Sequence, residues 1–570
     1  MRACCSRASS WVFWSPLTLA VALLSVSCIG LKQYRKVTVV PDGTSLRDEI
    51  CEVSQPNKLT DTCAVEHRTY KFRDNAQSAK RMIGGKPEPH GDYYFASVEF
   101  DDRGWFWDRK QMETTLRLLY DLPEEEFLIF AYAHGWQHNA SACDNNTVCF
   151  QRMLERLDFT LREAAVLESQ ESGVEYRKPR KVVGVYIGWR GRSGANKPAR
   201  LSSFFNRKRA ANRVGIGGVT ELLTRLNDFR RYKNPRRDSH KTQLMIAGHS
   251  FGGQVIYKAL SHSLIERAVA MEGDLDEGVD YHYKTANSFG DMVILVNPAF
   301  EGSAYEALQF AATNRCYPEK QRPSLMIVTS TADLATGLTF PIGRAVSNGF
   351  SPTVDRDQKK TVLHTVGHLP RYTSHVLELR NPPTEKEPMK SDRKKQSCDC
   401  PYLLPIDDRV RGRDLKFYTA KQEVLDLRQA EAGKAEDERL IHEMPLMDEY
   451  DLANDEDMSQ FRQSAVTSLD DFAVSSYGES TQGGEMVLRR TGEYAANYPY
   501  LVVQTDKTFI PSHSAVYGER FTDFLRRFYV RHLAGDEQLN FPQQCFEDTA
   551  STCLSSDITP CERSWTGRSR

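Results

Sequence analysis

Between Leu244 and Ile256 a short apolar run closes on Gly248-His249-Ser250-Phe251-Gly252, and Val255, Ile256 and Leu260 then recur at helical spacing. Strand, sharp turn and helix in that order are what a nucleophile elbow requires. Gly248 and Gly252 are needed because strand and helix pass close together, where a Cβ would clash. Such a turn lifts the Ser250 hydroxyl clear of the backbone and aims a helix N-terminus at the reacting centre.

The chain around it has 570 residues, 40% apolar and 26% charged, enough for a large core. A net charge of −1 gives no reason to expect a nucleic-acid partner. Arg2 and Arg7 precede an uncharged, mostly apolar run from Trp11 to Ser27, so residues 1–28 read as a targeting leader rather than part of the fold. Three fates fit it: lipidation of Cys28 after cleavage, a plain cleaved signal peptide, or a retained membrane anchor flanked by Lys32, Arg35 and Lys36. In bacterial lipoprotein leaders Leu usually stands where Ser25 is found here. All three place the bulk of the chain in the cell envelope or outside the cell. Of 13 cysteines, Cys4, Cys5 and Cys28 belong to the leader, leaving an even ten. Cys51 and Cys63, Cys143 and Cys149, Cys398 and Cys400, and Cys545, Cys553 and Cys561 form local groups, with Cys316 alone. In an oxidising compartment that usage implies disulfides. Cys398-x-Cys400 lacks the two-residue spacer of zinc sites, so no metal is expected.

In chain order, residues 29–88 form a weakly patterned lead-in and residues 89–345 carry most of the regular elements. Strand runs are expected at Tyr93–Phe100, Phe127–Ala133, Val182–Gly188, Met292–Val296 and Leu325–Thr329, with helices near 111–119, 148–167 and 210–229. Residues 346–494 lose that regularity, with basic (Lys386–Lys395) and acidic (Glu436–Asp457) runs and a hairpin expected over Thr361–Leu379. This block reads as an insertion, part lid and part loop. Residues 495–533 restore a strand at Tyr500–Gln504 and a helix on Phe521, Phe524, Leu525 and Phe528, and 534–570 form a cysteine-bearing tail. Strands alternating with helices predict an α/β fold, a mainly parallel sheet covered on both faces.

A serine needs a base, and the base needs a group to hold its tautomer. Asp333 stands just past a strand that follows the elbow, the correct end of a parallel sheet, with Glu301 as the reserve acid. Asp291 precedes its strand. His513 lies between the last strand and the last helix and is the expected base, ahead of His364, His368 and His375 in the insertion. His249 is expected to point away from the serine and pack. Backbone N–H groups of Phe251 and Trp136 are the candidate oxyanion donors, with Gly135 after His134 letting the backbone come close.

Four stretches carry a family likeness: Val98-Glu99-Phe100-Asp101-Asp102, His134-Gly135-Trp136-Gln137-His138-Asn139-Ala140, Gly184-Val185-Tyr186-Ile187-Gly188-Trp189-Arg190-Gly191, and Gly248-His249-Ser250-Phe251-Gly252-Gly253. Over residues 90–345 and 495–532 the chain resembles the α/β-hydrolase superfamily of esterases and lipases, and within it a largely uncharacterised microbial group. The resemblance implies the α/β-hydrolase fold, a Ser250, Asp333 and His513 triad, an acyl-enzyme, an ester substrate of small-molecule or lipid type, and no cofactor. The long gap from Asp333 to His513 departs from the family pattern. Trp189-Arg190-Gly191 is expected to pack. Arg207-Lys208-Arg209, Arg230-Arg231 and Arg236-Arg237 are expected to form solvated helix faces. The alternative from another class is a non-catalytic envelope protein that keeps the fold as a binding or scaffolding module.

Overall fold

The structure is a computed structural model that describes residues 30–37, 49–54, 63–70, 82–83, 86–87, 91–172, 178–193, 203–235, 242–270, 286–313, 317, 321–348, 352–380, 398, 400, 471–474, 485–491, 494 and 498–532. The leader with Cys28, Cys316, both long charge runs, Arg236-Arg237 and the C-terminal tail lie outside the described residues.

Apart from a small hairpin of β3 (Met82–Ile83) and β4 (Lys86–Pro87), the strands join one sheet. They are β1 (Cys51–Val53), β2 (Val65–Tyr70), β5 (Gly91–Phe100), β6 (Phe127–Ala133), β7 (Lys181–Trp189), β8 (Gln243–His249) and β9 (Met292–Val296). They continue with β10 (Leu325–Ser330), β11 (His375–Arg380), β12 (Asp471–Val474), β13 (Glu485–Arg490) and β14 (Tyr500–Thr505). The order across the sheet is β1-β2-β5-β7-β6-β8-β9-β10-β14-β11-β13-β12. From β5 to β11 every neighbouring pair is parallel. The antiparallel pairs β2–β5, β11–β13 and β13–β12 flank that block.

The parallel strands are nearly continuous apolar runs because both faces are covered. Successive side chains divide between two cores. Ile129, Ala131 and Ala133 of β6 pack with Val183, Val185 and Ile187 of β7 and with Leu222, Leu223, Val255, Ile256 and Leu260 from helices on one face. Leu128 and Tyr132 pack with Val182, Tyr186 and Met245 and with Phe150, Leu154, Phe521 and Phe524 from helices on the other. The expected α/β class and two-sided cover are therefore present.

Two expectations need correction. The helix expected near 210–229 is two helices, Phe204–Ile216 and Gly218–Lys233, broken at Gly217. The turn at Asp101–Gly104 docks there: Gly218 N–H donates to Gly104 O at 2.7 Å, and a Cβ on Gly217 would sit 2.4 Å from that oxygen. The hairpin expected over Thr361–Leu379 is a helix Arg356–Leu363, two short 3₁₀ turns and β11. β11 lies parallel to β14 and so extends the main sheet.

The lead-in is also ordered where described. Arg35 is fully buried. Its guanidinium meets the Glu66 carboxylate and donates to Ala140 O at 2.9 Å and Cys63 O at 3.1 Å. The N–H groups of Tyr34 and Arg35 donate to Glu99 at 2.9 and 2.7 Å. A buried ion pair is tolerated when hydrogen bonds are supplied in this way, whereas removing one partner strands the other charge.

Disulfides join Cys51 to Cys63, Cys143 to Cys398 and Cys149 to Cys400. The last two run between the local groups rather than within them, and tie residues 398 and 400 to the start of the helix Asn145–Ser172. Among the described residues no helix is long and apolar enough to cross a membrane.

At the amino end of the parallel strands, Asp92 meets His67 at 2.7 Å, Lys181 in direct contact and Arg162 at 3.4 Å. Burial alone would raise the Asp92 carboxyl, but His67, Lys181 and Arg162 hold it far below the usual carboxylate range. A depressed folded pKa gives stability that is present above the unfolded value of about 4 and lost as pH falls through the folded one. Asp92→Asn is therefore expected to be less stable than the parent at pH 7, with the gap closing below about pH 4. Urea unfolding at pH 7 and at about pH 2 reads this, and a gap equal at the two would contradict it.

Candidate active site

The elbow sits where the sequence places it. Ser250 follows β8 with φ 56° and ψ −120°, a left-handed conformation that is costly for a residue with a Cβ. The strain is held by close packing. A Cβ on Gly248 would lie 2.6 Å from Gly252 O, and one on Gly252 would lie 2.0 Å from Ala133 O and 2.6 Å from His134 O. These obstacles are backbone atoms of the helix that Phe251 opens, of β6 and of its exit loop, which cannot swing aside. Gly252→Ala is expected to cost about 1–3 kcal/mol through overpacking and to displace the elbow. A urea midpoint equal to that of the parent chain would contradict this contact.

Three residues distant in sequence meet at the carboxyl edge of the sheet. His513 Nδ1 lies 2.8 Å from Asp333 Oδ2, and His513 Nε2 lies 2.8 Å from Ser250 Oγ. An ionised carboxylate can only accept, so Nδ1 carries the proton and Nε2 accepts from the Ser250 hydroxyl. Asp333 is 1% exposed and follows β10. Burial raises its carboxyl, but the hydrogen bond and charge of His513 and the Thr336 hydroxyl and N–H together hold it below the ordinary value. Its Oδ1 accepts from the N–H groups of Ala335 at 2.9 Å and Thr336 at 3.2 Å.

The loop carrying His513 is fixed from below. Its carbonyl accepts from His249 Nε2–H at 2.8 Å and from Asn297 Nδ2–H at 3.2 Å. The sequence predicts His249 to pack beside the elbow; it does so, and it also holds the His513 carbonyl. Burial, and after it the neighbouring His513, keeps His249 neutral well below its ordinary pKa, with Nε2 as the donor.

The exit loop of β6 is latched by the segment after β7. Trp189 Nε1–H donates to His134 O at 2.9 Å, and Trp189 N–H donates to His134 Nε2 at 3.1 Å. His134 Nδ1–H donates in turn to Gly135 O at 3.0 Å. That pattern requires neutral imidazole, and burial pushes the His134 pKa down to about 4. Gln137 N–H donates to Gly191 O at 2.9 Å and Gly191 N–H to His138 O at 3.0 Å. A Cβ on Gly191 would sit 2.6 Å from Gly135 O. Trp189-Arg190-Gly191, read from sequence as packing, thus holds the loop by hydrogen bonds. Arg207 reinforces it, donating to Asp102 at 2.6 and 2.7 Å and to Arg190 O at 2.9 Å.

The latched loop brings Gly135 onto the serine, since a Cβ there would lie 3.0 Å from Ser250 Cβ. Phe251 opens the helix Phe251–Val269, so the helix itself supplies no acceptor for its N–H. Trp136 stands next to Gly135 on the loop, and its ring meets Phe204, which in turn meets Phe251.

The rival residues lie elsewhere. Glu301 is paired with Lys208 Nζ at 2.9 Å and Arg344 Nε at 2.9 Å. Asp291 binds Arg230 through two 2.6 Å hydrogen bonds at the amino end of β9. His375 is buried in β11, where Nδ1 lies 2.9 Å from Ser374 Oγ. His364 caps the helix Arg356–Leu363. His368 reaches Thr336, as described below. Arg207 and Lys208 are buried rather than solvated, and their partners Asp102 and Glu301 explain why.

No protein-family model matches the chain, and no curated protein or solved structure matches it significantly.

Proposed function

We propose that this chain is a serine hydrolase that cleaves carboxylic esters through an acyl-enzyme, on an α/β-hydrolase fold. The observation that carries the reading is the continuous hydrogen-bonded chain from Ser250 Oγ through His513 to Asp333, two links of 2.8 Å joining residues 263 and 180 positions apart. The strained backbone at Ser250 and the sheet order, with the candidate residues at the carboxyl edge of parallel strands, support it.

In this reading His513 Nε2 takes the hydroxyl proton as Ser250 Oγ attacks the ester carbonyl carbon. Asp333 holds the Nδ1–H tautomer and stabilises the imidazolium without accepting its proton. The N–H groups of Phe251 and Trp136 hold the oxyanion, where a donor typically contributes about 2.7–4 kcal/mol. The alkoxide leaves with the proton from His513, forming the acyl-enzyme. Water then attacks, giving its proton to His513, and the acid is released as Ser250 is reprotonated. No cofactor enters this chemistry. Small-molecule or lipid esters are its substrates in this reading, and the disulfides support an exported or envelope location.

An activated aryl ester provides the test. A burst of about one phenol per chain ahead of the steady state is expected from acyl-enzyme accumulation. A folded chain that shows neither burst nor turnover with acetyl, butyryl and longer acyl esters would contradict the reading.

A further inference from the structure

Asp333 has a second histidine behind it. Immediately after the acid the chain makes a single π-helical turn, Ala335–Thr339, a geometry found frequently at functional sites. That turn buries Thr336, whose Oγ1 donates to Asp333 Oδ2, the same oxygen that accepts from His513. On its other side Thr336 Oγ1 lies 3.0 Å from His368 Nε2. A threonine hydroxyl has one proton and two lone pairs. With its proton on Asp333, it accepts from His368 Nε2–H.

We propose that His368 is a positioning residue for the acid of the triad: by donating to Thr336 Oγ1 it directs the threonine proton onto Asp333, and so fixes the carboxylate that orients His513. The proposal rests on the hydrolase reading above and extends its hydrogen-bonded chain to five side chains. It gives His368, within the 346–494 segment read from sequence as an insertion, part lid and part loop, a role inside the machinery.

The ring of His368 is pinned for this task. A Cβ on Gly337 would lie 3.0 Å from His368 Cε1, so glycine there lets the ring approach the π-helical turn. A Cβ on Gly367 would lie 1.9 Å from Thr329 Oγ1, so the 3₁₀ turn Val366–His368 is pressed onto the end of β10. Val366 N–H donates to Phe300 O at 3.3 Å and His368 N–H to Thr365 O at 3.1 Å. The titratable groups that face His368 are Asp333, His364 and His513. Burial outweighs the pull of Asp333 and holds His368 below its ordinary pKa, which leaves one ring N–H. Were that proton on Nδ1 instead, Nε2 would compete with Asp333 for the threonine proton.

The test uses the full chain with His368→Phe, His368→Gln and Thr336→Val. Phenylalanine keeps the ring and removes the donor, glutamine restores a donor, and valine removes the hydroxyl. With an activated ester, His368→Phe and Thr336→Val are expected to lower kcat about tenfold or more with KM within about twofold. Both are expected to move the acid limb of the kcat/KM profile, while His368→Gln stays within about threefold of the parent in kcat. The downfield proton resonance of His513 Nδ1–H is read in the same proteins without turnover. It is expected to shift or broaden in the Phe and Val variants and to be kept in the Gln variant. A folded His368→Phe chain with parental kcat, acid limb and resonance would overturn the proposal. If the parent itself cleaves no ester, the hydrolase reading fails, and the resonance alone decides whether His368 positions Asp333.

Discussion

Replacing Ser250 with alanine is expected to lower kcat on an activated ester by about 10⁴–10⁶-fold, and His513→Ala by a similar factor. The reason lies in the shared 2.8 Å hydrogen bond between Ser250 Oγ and His513 Nε2. In the mechanism proposed, attack and proton removal occur in one step, so either loss forfeits both. The double variant should consequently be hardly slower than the worse single one. What activity survives would come from the Phe251 and Trp136 N–H groups and from binding, neither of which the substitutions touch. Steady-state kinetics on the three variants reads this. Multiplicative losses would show that Ser250 and His513 act independently, against the mechanism proposed.

Asp333→Asn is expected to cost about 10⁴-fold in kcat while KM changes little. The carboxylate accepts from His513 Nδ1, the Thr336 hydroxyl and the N–H groups of Ala335 and Thr336. With every neighbour a donor, the NH₂ of an asparagine has no good place. Turned toward His513, it would donate to Nδ1 and force the proton to Nε2, the atom that must accept from Ser250. Turned the other way, it would face the two backbone N–H groups. Glu301→Gln is the matched control. It weakens the pairs with Lys208 and Arg344 and is expected to affect stability more than kcat. A reversal of these two results would move the role of the acid to Glu301.

The elbow was legible because its physics is local: an apolar strand, glycines that a tight crossing demands, and a helix. The order of Ser250, Asp333 and His513 was legible because each follows an apolar run, and residues after parallel strands gather at one edge of the sheet. Long-range pairing is harder to read. Arg207 and Lys208 look like solvated cations in sequence and Arg35 like part of a basic flank to the leader, and all three are buried because Asp102, Glu301 and Glu66 come to them from other elements. Cys143 and Cys149 stand close in the chain, yet each reaches across more than 250 residues. β11 reads as half of a local hairpin because its alternation says nothing about its partners, and these are distant in sequence: β14, with which His375 pairs at Val503, and β13. Trp189 and Gly191 work through one indole N–H and through backbone groups, which no residue type announces. In sequence His368 reads only as a rival base. Its position two hydrogen bonds behind the acid depends on the π-helical turn, whose single extra residue sequence periodicity does not mark.

The most direct test of the central claim is covalent labelling of the purified chain with a fluorophosphonate, followed by peptide mapping. The account predicts one modified residue, Ser250, in the parent chain, and loss of labelling in both Ser250→Ala and His513→Ala. A folded parent chain that takes up no probe, or labelling that persists in Ser250→Ala, would contradict it.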